Sequence, residues 1–221
     1  MRSDAPIVTL LRQRFDVHPA DSPLDTAIPS ADSLLLAQPR AFSPLELVAI
    51  DDWVRKGGRL VLLADPLLRW PSSLPLGDRR RPPSISMVAP LLDHWGVGLL
   101  PPAALGEERR FLEDSRLLTT MGSSRFTQRP ASSCRLEESG LIARCQVGNG
   151  RAVLVADADL IDDRLWLADA SQPLDARQWS ADSAGFVIEA LDGGTVSGRN
   201  WLRSTANLVL AVRWAIFAGI G

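Results

Sequence analysis

The sequence predicts an α/β fold, a largely parallel sheet flanked by helices with an antiparallel hairpin extension. Three observations carry this. Leu34–Ala37, Leu60–Ala64 and Ala152–Ala156 are short, continuous, uncharged apolar runs, the pattern of strands buried on both faces. The first two bracket a well-capped helix, which makes a βαβ unit with a right-handed crossover. Residues 133–147 read as two strands turning at Ser139-Gly140, a hairpin signal.

Taken in order, Asp4 is placed to cap a first helix with Pro6 near its start, and Ile7, Leu10, Leu11 and Phe15 fall on one face. Phe15-Asp16-Val17-His18 alternates like a short strand and stops at Pro19. After a polar stretch comes the Leu34–Ala37 strand, and then Ser43-Pro44-Leu45-Glu46, a capping box with proline at the first helical position. Leu45, Val48, Ala49, Asp52 and Trp53 follow at helical spacing and predict the inner face. Lys56 suits the last turn, and Gly57-Gly58 supplies a left-handed terminus. The second strand ends at Asp65-Pro66.

Residues 66–84 form a long loop rich in proline and arginine, a length that is usually functional or disordered. Met87–Trp95 returns to a helical pattern ended by Gly96. Residues 106–128 fit no single period. Gly148-Asn149-Gly150 makes a turn, Ala152–Ala156 is the third buried strand, and a helix is expected from Leu160. Asp182 is placed to cap a helix through Leu191, stopped by Gly193-Gly194. Residues 1–206 read as one α/β domain. Residues 207–221 read as an apolar helix that either docks on the domain or is the stub of a membrane anchor. Its stripe is Leu208, Val212, Ala215 and Ile216, flanked by Trp201 and Trp214.

Composition mainly excludes. The chain has 221 residues, 46% of them apolar, enough for a core without disulfides or metal. With 24 basic and 26 acidic residues the net charge is −2, which argues against nucleic-acid binding by bulk charge. His18, His94, Cys134 and Cys145 lack zinc-site spacing, so no metal is expected. No phosphate-cradling glycine motif occurs, and no cofactor is expected. The charged start, Met1–Pro6, does not read as a signal peptide, and no run reaches the ~18 residues of a spanning helix.

Several segments resemble one family in chain order: Leu34–Arg40 (LLLAQPR), Ser43–Glu46, Asp52–Pro66 (DWVRKGGRLVLLADP), Leu91–Val97 (LLDHWGV), Gly148–Leu160 (GNGRAVLVADADL), and Phe186–Leu191 with Trp201–Arg203. Together they are similar to the soluble domain of auxiliary subunits of gliding-motility-type, uncharacterized ABC transport systems. The resemblance implies a flavodoxin-like sheet related to class I glutamine amidotransferases. It also implies a non-catalytic domain on the periplasmic side of the bacterial inner membrane, partnered by ABC transporter permease and ATPase subunits. The chain departs from the family in showing no amino-terminal spanning helix and a tail too short to span, and with no signal peptide visible the cytoplasm is the alternative location. The rival functions are an enzyme of the amidotransferase-like superfold using a carboxylate site, and a purely structural interaction domain.

No catalytic residue is assigned. Neither cysteine sits on a strand-to-helix elbow of the kind a nucleophile needs. The candidate ligand-binding residues are the strand-end carboxylates Asp65, Asp157 and Asp159, because ligands of open α/β sheets bind beyond the carboxyl ends of parallel strands. Set against this, Asp157 and Asp159 would serve as helix caps and arginine partners. Arg79, Arg80 and Arg81 with Trp70, in the long loop, are a second candidate for gripping an anion, against the reading of a solvated loop tip. Counting outward from a Ser139-Gly140 turn sets Cys134 opposite Cys145, within reach of a disulfide in an oxidising compartment.

Overall fold

The capping box organises the fold. In the computed structural model, which describes residues 5–26, 28–78, 80–102, 105–122, 124–130 and 132–193, the Ser43 hydroxyl accepts from the Glu46 amide and the Glu46 carboxylate accepts from the Ser43 amide. Two orphan donors of the first turn are thereby satisfied. Glu46 also accepts from Arg40 and Ser22, and the Arg40 guanidinium holds its carboxyl well below the usual carboxylate range.

In chain order the elements are α1 (Pro6–Arg14), β1 (Ser33–Ala37), α2 (Pro44–Arg55), β2 (Arg59–Leu63), α3 (Ala89–His94), β3 (Val97–Leu99), β4 (Glu107–Phe111), β5 (Leu117–Met121), β6 (Phe126–Gln128), β7 (Cys134–Glu137), β8 (Ile142–Val147), β9 (Gly150–Val155), α4 (Asp163–Trp166) and α5 (Ser183–Asp192). The main sheet has the order β1-β2-β9-β8-β7. The predicted βαβ unit is there, with β1 and β2 parallel neighbours. β9 continues the parallel part, and the β7–β8 hairpin joins it antiparallel. Only β8 opposes the other strands. Two short antiparallel pairs, β3–β6 and β4–β5, lie outside this sheet.

The layers follow from side-chain direction. The Ser33 hydroxyl donates to the Leu191 carbonyl and Arg59 to the Asp192 carbonyl, which puts α5 on the face those residues share. α2 covers the opposite face, where the turn at residues 148–150 runs against its carboxyl end and the Asn149 amide donates to the Arg55 carbonyl. Trp53 and Trp95 are both core residues; a Cβ on Gly58 would lie 2.6 Å from the Trp53 ring. β5 is stitched to α5 by the Asp182 carboxylate, which accepts from the Leu117 amide at 2.9 Å, and by Ser183 on Thr119. Buried Arg116 adds ion pairs to Asp114 and Glu189 and lies over the Phe186 ring.

Several expectations are corrected. Ala5 occupies the N-cap of α1, without a side-chain bond. Residues 15–18 join no strand, although Phe15 and Val17 pack on the core as the alternation required. The buried face of α2 is Glu46, Ile50, Trp53 and Val54. Leu45 and Val48 are 66% and 57% exposed, because α2 is turned toward the close approach of residues 148–150. Residues 106–128 hold β4, β5 and β6, short strands whose pairing is set by tertiary contact. The helix expected from Leu160 is one 3-10 turn, Asp159–Ile161, followed by α4. Asp182 stands at the N-cap of α5, but its side chain makes no cap bond there and serves β5 instead. The 207–221 helix and the segment at Trp201 lie outside the described residues.

A Cβ on Gly150 would collide with the Val54 and Gly58 carbonyl oxygens, and backbone cannot swing aside as a side chain can. Gly150→Ala should lower stability by about 1–3 kcal/mol, read from the urea midpoint. Gly106→Ala, which meets open space, should stay within about 0.5 kcal/mol. Equal midpoints for the two variants would refute the close-packing account.

Candidate functional site

Because β2 and β9 are parallel neighbours with Leu63 opposite Val155, Asp65 and Asp157 leave the sheet side by side. Asp159 follows one turn on. All three carboxylates are buried, none more than 1% exposed. Gln38, the residue after β1, completes the row. Its side-chain amide donates to the Asp65 and Pro83 carbonyls, and its side-chain oxygen accepts from the Asp65 amide at 2.8 Å. Gln38 was not among the sequence candidates. The signal for it is positional: Gln38-Pro39 ends the first apolar run as Asp65-Pro66 ends the second.

The carboxylates are occupied by backbone. Asp65 accepts from the Leu67 amide at 2.7 Å and the Ala158 amide at 3.2 Å. Asp157 accepts from Met121 at 2.8 Å and Leu160 at 2.7 Å. Asp159 accepts from Arg69 at 2.6 Å through Oδ2, while its Oδ1 is buried with no partner among the described residues. Asp157 is therefore a cap for the 3-10 turn, as the capping alternative required, and it also anchors the end of β5. The three side chains pin the 66–84 loop, the end of β5 and the segment after β9 to the sheet. Among the described residues no group of three or more His, Cys, Asp or Glu side chains is set to hold a metal ion.

Burial raises all three carboxyls. Desolvation pushes Asp65 up against its backbone hydrogen bonds. It pushes Asp157 well up, and the Asp65 charge adds to the rise. Asp159 is raised by desolvation, with Asp65 and Asp162 adding, to about 6.

Of the described loop candidates only Trp70 comes to this row, through its backbone beside Asp159. Arg79 lies outside the described residues. Arg80 forms a salt bridge with Asp78 at 2.7 Å on the surface. Arg81 donates to the Leu74 and Ser72 carbonyls and holds the loop's own shape. Trp70 packs its ring partly against the core. Cys134 and Cys145 are directly opposed in register, with Cα atoms 3.8 Å apart, and form a disulfide. That leaves neither thiol for nucleophilic chemistry.

Residues 2–111, just under half of the chain, match the family model of an ABC-type uncharacterized transport system. No curated protein sequence matches the chain. Among solved structures, the cytoplasmic protein STM1381 from Salmonella typhimurium LT2 is similar at 13% identity over 88% of this chain and 89% of that one, with a TM-score of 0.51. That likeness supports the fold alone. The exo-β-1,4-mannosidase Op5Man5 from Opitutaceae bacterium strain TAV5 is 17% identical over 77% of this chain, with a TM-score of 0.45. This chain spans only 27% of the mannosidase's length. The cytoplasmic protein STM3548 from Salmonella typhimurium is 9% identical over 85% of this chain and 86% of that one, at a TM-score of 0.47.

A carboxyl whose pKa is higher folded than unfolded stabilises the fold below its unfolded pKa, and that contribution is lost as pH rises through the folded value. For Asp159 the window runs from its ordinary 3.8 to about 6. Asp159→Asn keeps an acceptor for the Arg69 amide and removes the charge. Relative to the parent it should gain on the order of 2 kcal/mol at neutral pH and little near pH 4. Thermal melts across that range check this; a variant-minus-parent difference independent of pH would count against it.

Proposed function

We propose that the chain serves as a non-catalytic auxiliary component of an ABC-type transport system. The family match carries this reading, since residues 2–111 include the whole β1–α2–β2 unit and the loop that follows it. The site chemistry agrees with it. The strand-end carboxylates that an enzyme of the amidotransferase-like superfold would turn toward substrate are spent here on backbone amides, and the two thiols are joined.

The finer reading takes the fold as a flavodoxin-like, amidotransferase-related sheet, supported by parallel β1, β2 and β9 with helices on both faces. It puts the domain on the periplasmic side of the inner membrane, with permease and ATPase subunits as partners. The Cys134–Cys145 bridge supports that side, because cytosolic thiols are kept reduced.

Tagging the full chain in its own cell and isolating it after mild cross-linking tests the reading. The expected result is recovery of ABC permease and ATPase subunits. Intact chain isolated without any ABC subunit would overturn it.

A further inference from the structure

Among the described residues, one corner of the sheet is uncovered. Residues paired directly across strands share a face, so the face under α5 can be followed from strand to strand. One row runs Ser33, Arg59, Arg151, Gln146, and the next runs Leu35, Val61, Val153, Arg144, Arg135. α5 lies over the β1–β2 end of these rows. At the β9–β8–β7 end they open to solvent in a groove of about 420 Å³, with Val153 as its floor and Arg135, Arg144 and Arg151 around it.

The charge there is unbalanced. Arg135 and Arg144 are directly opposed, an arrangement of like charges that destabilises a strand pair. One carboxylate, Glu137, serves both. Arg151 is exposed and forms no ion pair or side-chain hydrogen bond among the described residues. Three guanidiniums face one carboxylate on strands about 4.8 Å apart. Folding does not require this set, because any polar residues would solvate that corner.

We propose that this groove docks an acidic polypeptide segment of a partner protein. Guanidinium forks match carboxylates two bonds at a time, and their spacing across three strands suits several carboxylates presented in succession. A groove of about 420 Å³ lined by three strands takes a narrow chain segment more readily than a flat bilayer. The chain's own remaining segment is the wrong sign, since residues 194–221 contain Arg199, Arg203 and Arg213 and no Asp or Glu. The groove is independent of the transport reading, as nothing in it requires the partner to be a transporter subunit.

The test uses the full chain and a fluorescent oligoglutamate peptide, followed by anisotropy. Replacing Arg135, Arg144 and Arg151 together by Gln should weaken binding by about tenfold or more, and Arg151→Glu alone should weaken it measurably. Arg177→Gln, at an exposed arginine already paired with Asp175, should leave it unchanged. Melting temperature verifies folding; if the triple variant fails to fold, Arg151→Glu decides, because that side chain forms no ion pair or hydrogen bond among the described residues. Unaltered affinity in the arginine variants would overturn the proposal, and so would an equal loss in Arg177→Gln. Tighter binding of the same arginines to phosphatidylserine vesicles than to the peptide would also overturn it, assigning the surface to lipid.

Discussion

Backbone amides that leave the sheet at its carboxyl edge have to find acceptors in a place where water does not reach, and the fold depends on how they do. An amide buried without an acceptor costs about as much as a lost hydrogen bond. Here five amides at that edge, the buried ones of Ala158 and Leu160 and the half-buried ones of Leu67, Arg69 and Met121, are met by three buried aspartates. They belong to a loop, a strand end and a single turn, which leave these amides without a backbone partner of their own. Remove the carboxylates and the 66–84 loop, the end of β5 and the turn after β9 lose their common attachment. The cost of the arrangement shows in the raised carboxyls: three acidic groups are kept dry and near one another, and the charged form is disfavoured as a result.

The opposite end of the sheet is governed by contact rather than charge. Residues 148–150 pass so close under α2 that only glycine fits at Gly150. The same approach gives the Arg55 carbonyl its partner in the Asn149 amide and seats Trp53 against Gly58. The two ends are linked. The crossover from β1 to β2 is positioned by this contact at the base of β9, and β2 beside β9 is what brings Asp65 next to Asp157.

Much of this was legible where the signal was local. The capping box, the glycine stop after α2 and the three apolar runs specified the βαβ unit, and turn counting set Cys134 opposite Cys145. The orientation of α2 was not legible, because Leu45, Val48 and Trp53 fit one stripe while Ile50, Trp53 and Val54 fit another. The choice between them rests on a glycine almost a hundred residues away. β4, β5 and β6 were hidden for the same reason: β4 alternates charge with charge, and β5 owes its place to Asp182 and Ser183. At the site, the aspartates were found by position and the capping role of Asp157 was read with them, but the ties of Asp65 and Asp159 to the 66–84 loop were not, since backbone amides carry no mark in a sequence. Gln38 went unread because an amide side chain after a strand looks like the start of any loop.

The placement of polar groups bears on function through what is sealed and what is open. At the edge where an α/β sheet ordinarily meets a small ligand, all three carboxylates accept from the chain's own amides, Asp159 Oδ1 alone staying unpaired among the described residues, and the 66–84 loop is tied to them. A small ligand at that edge would have to displace backbone hydrogen bonds already made. The charge left unspent lies elsewhere, around the open groove on β7, β8 and β9, where guanidiniums outnumber carboxylates among the described residues. Open, one-signed and recessed surfaces recognise other macromolecules better than they hold small molecules. The physical division of the molecule is thus an end whose carboxylates hold the chain together and an open basic face, and the proposed auxiliary role draws on both.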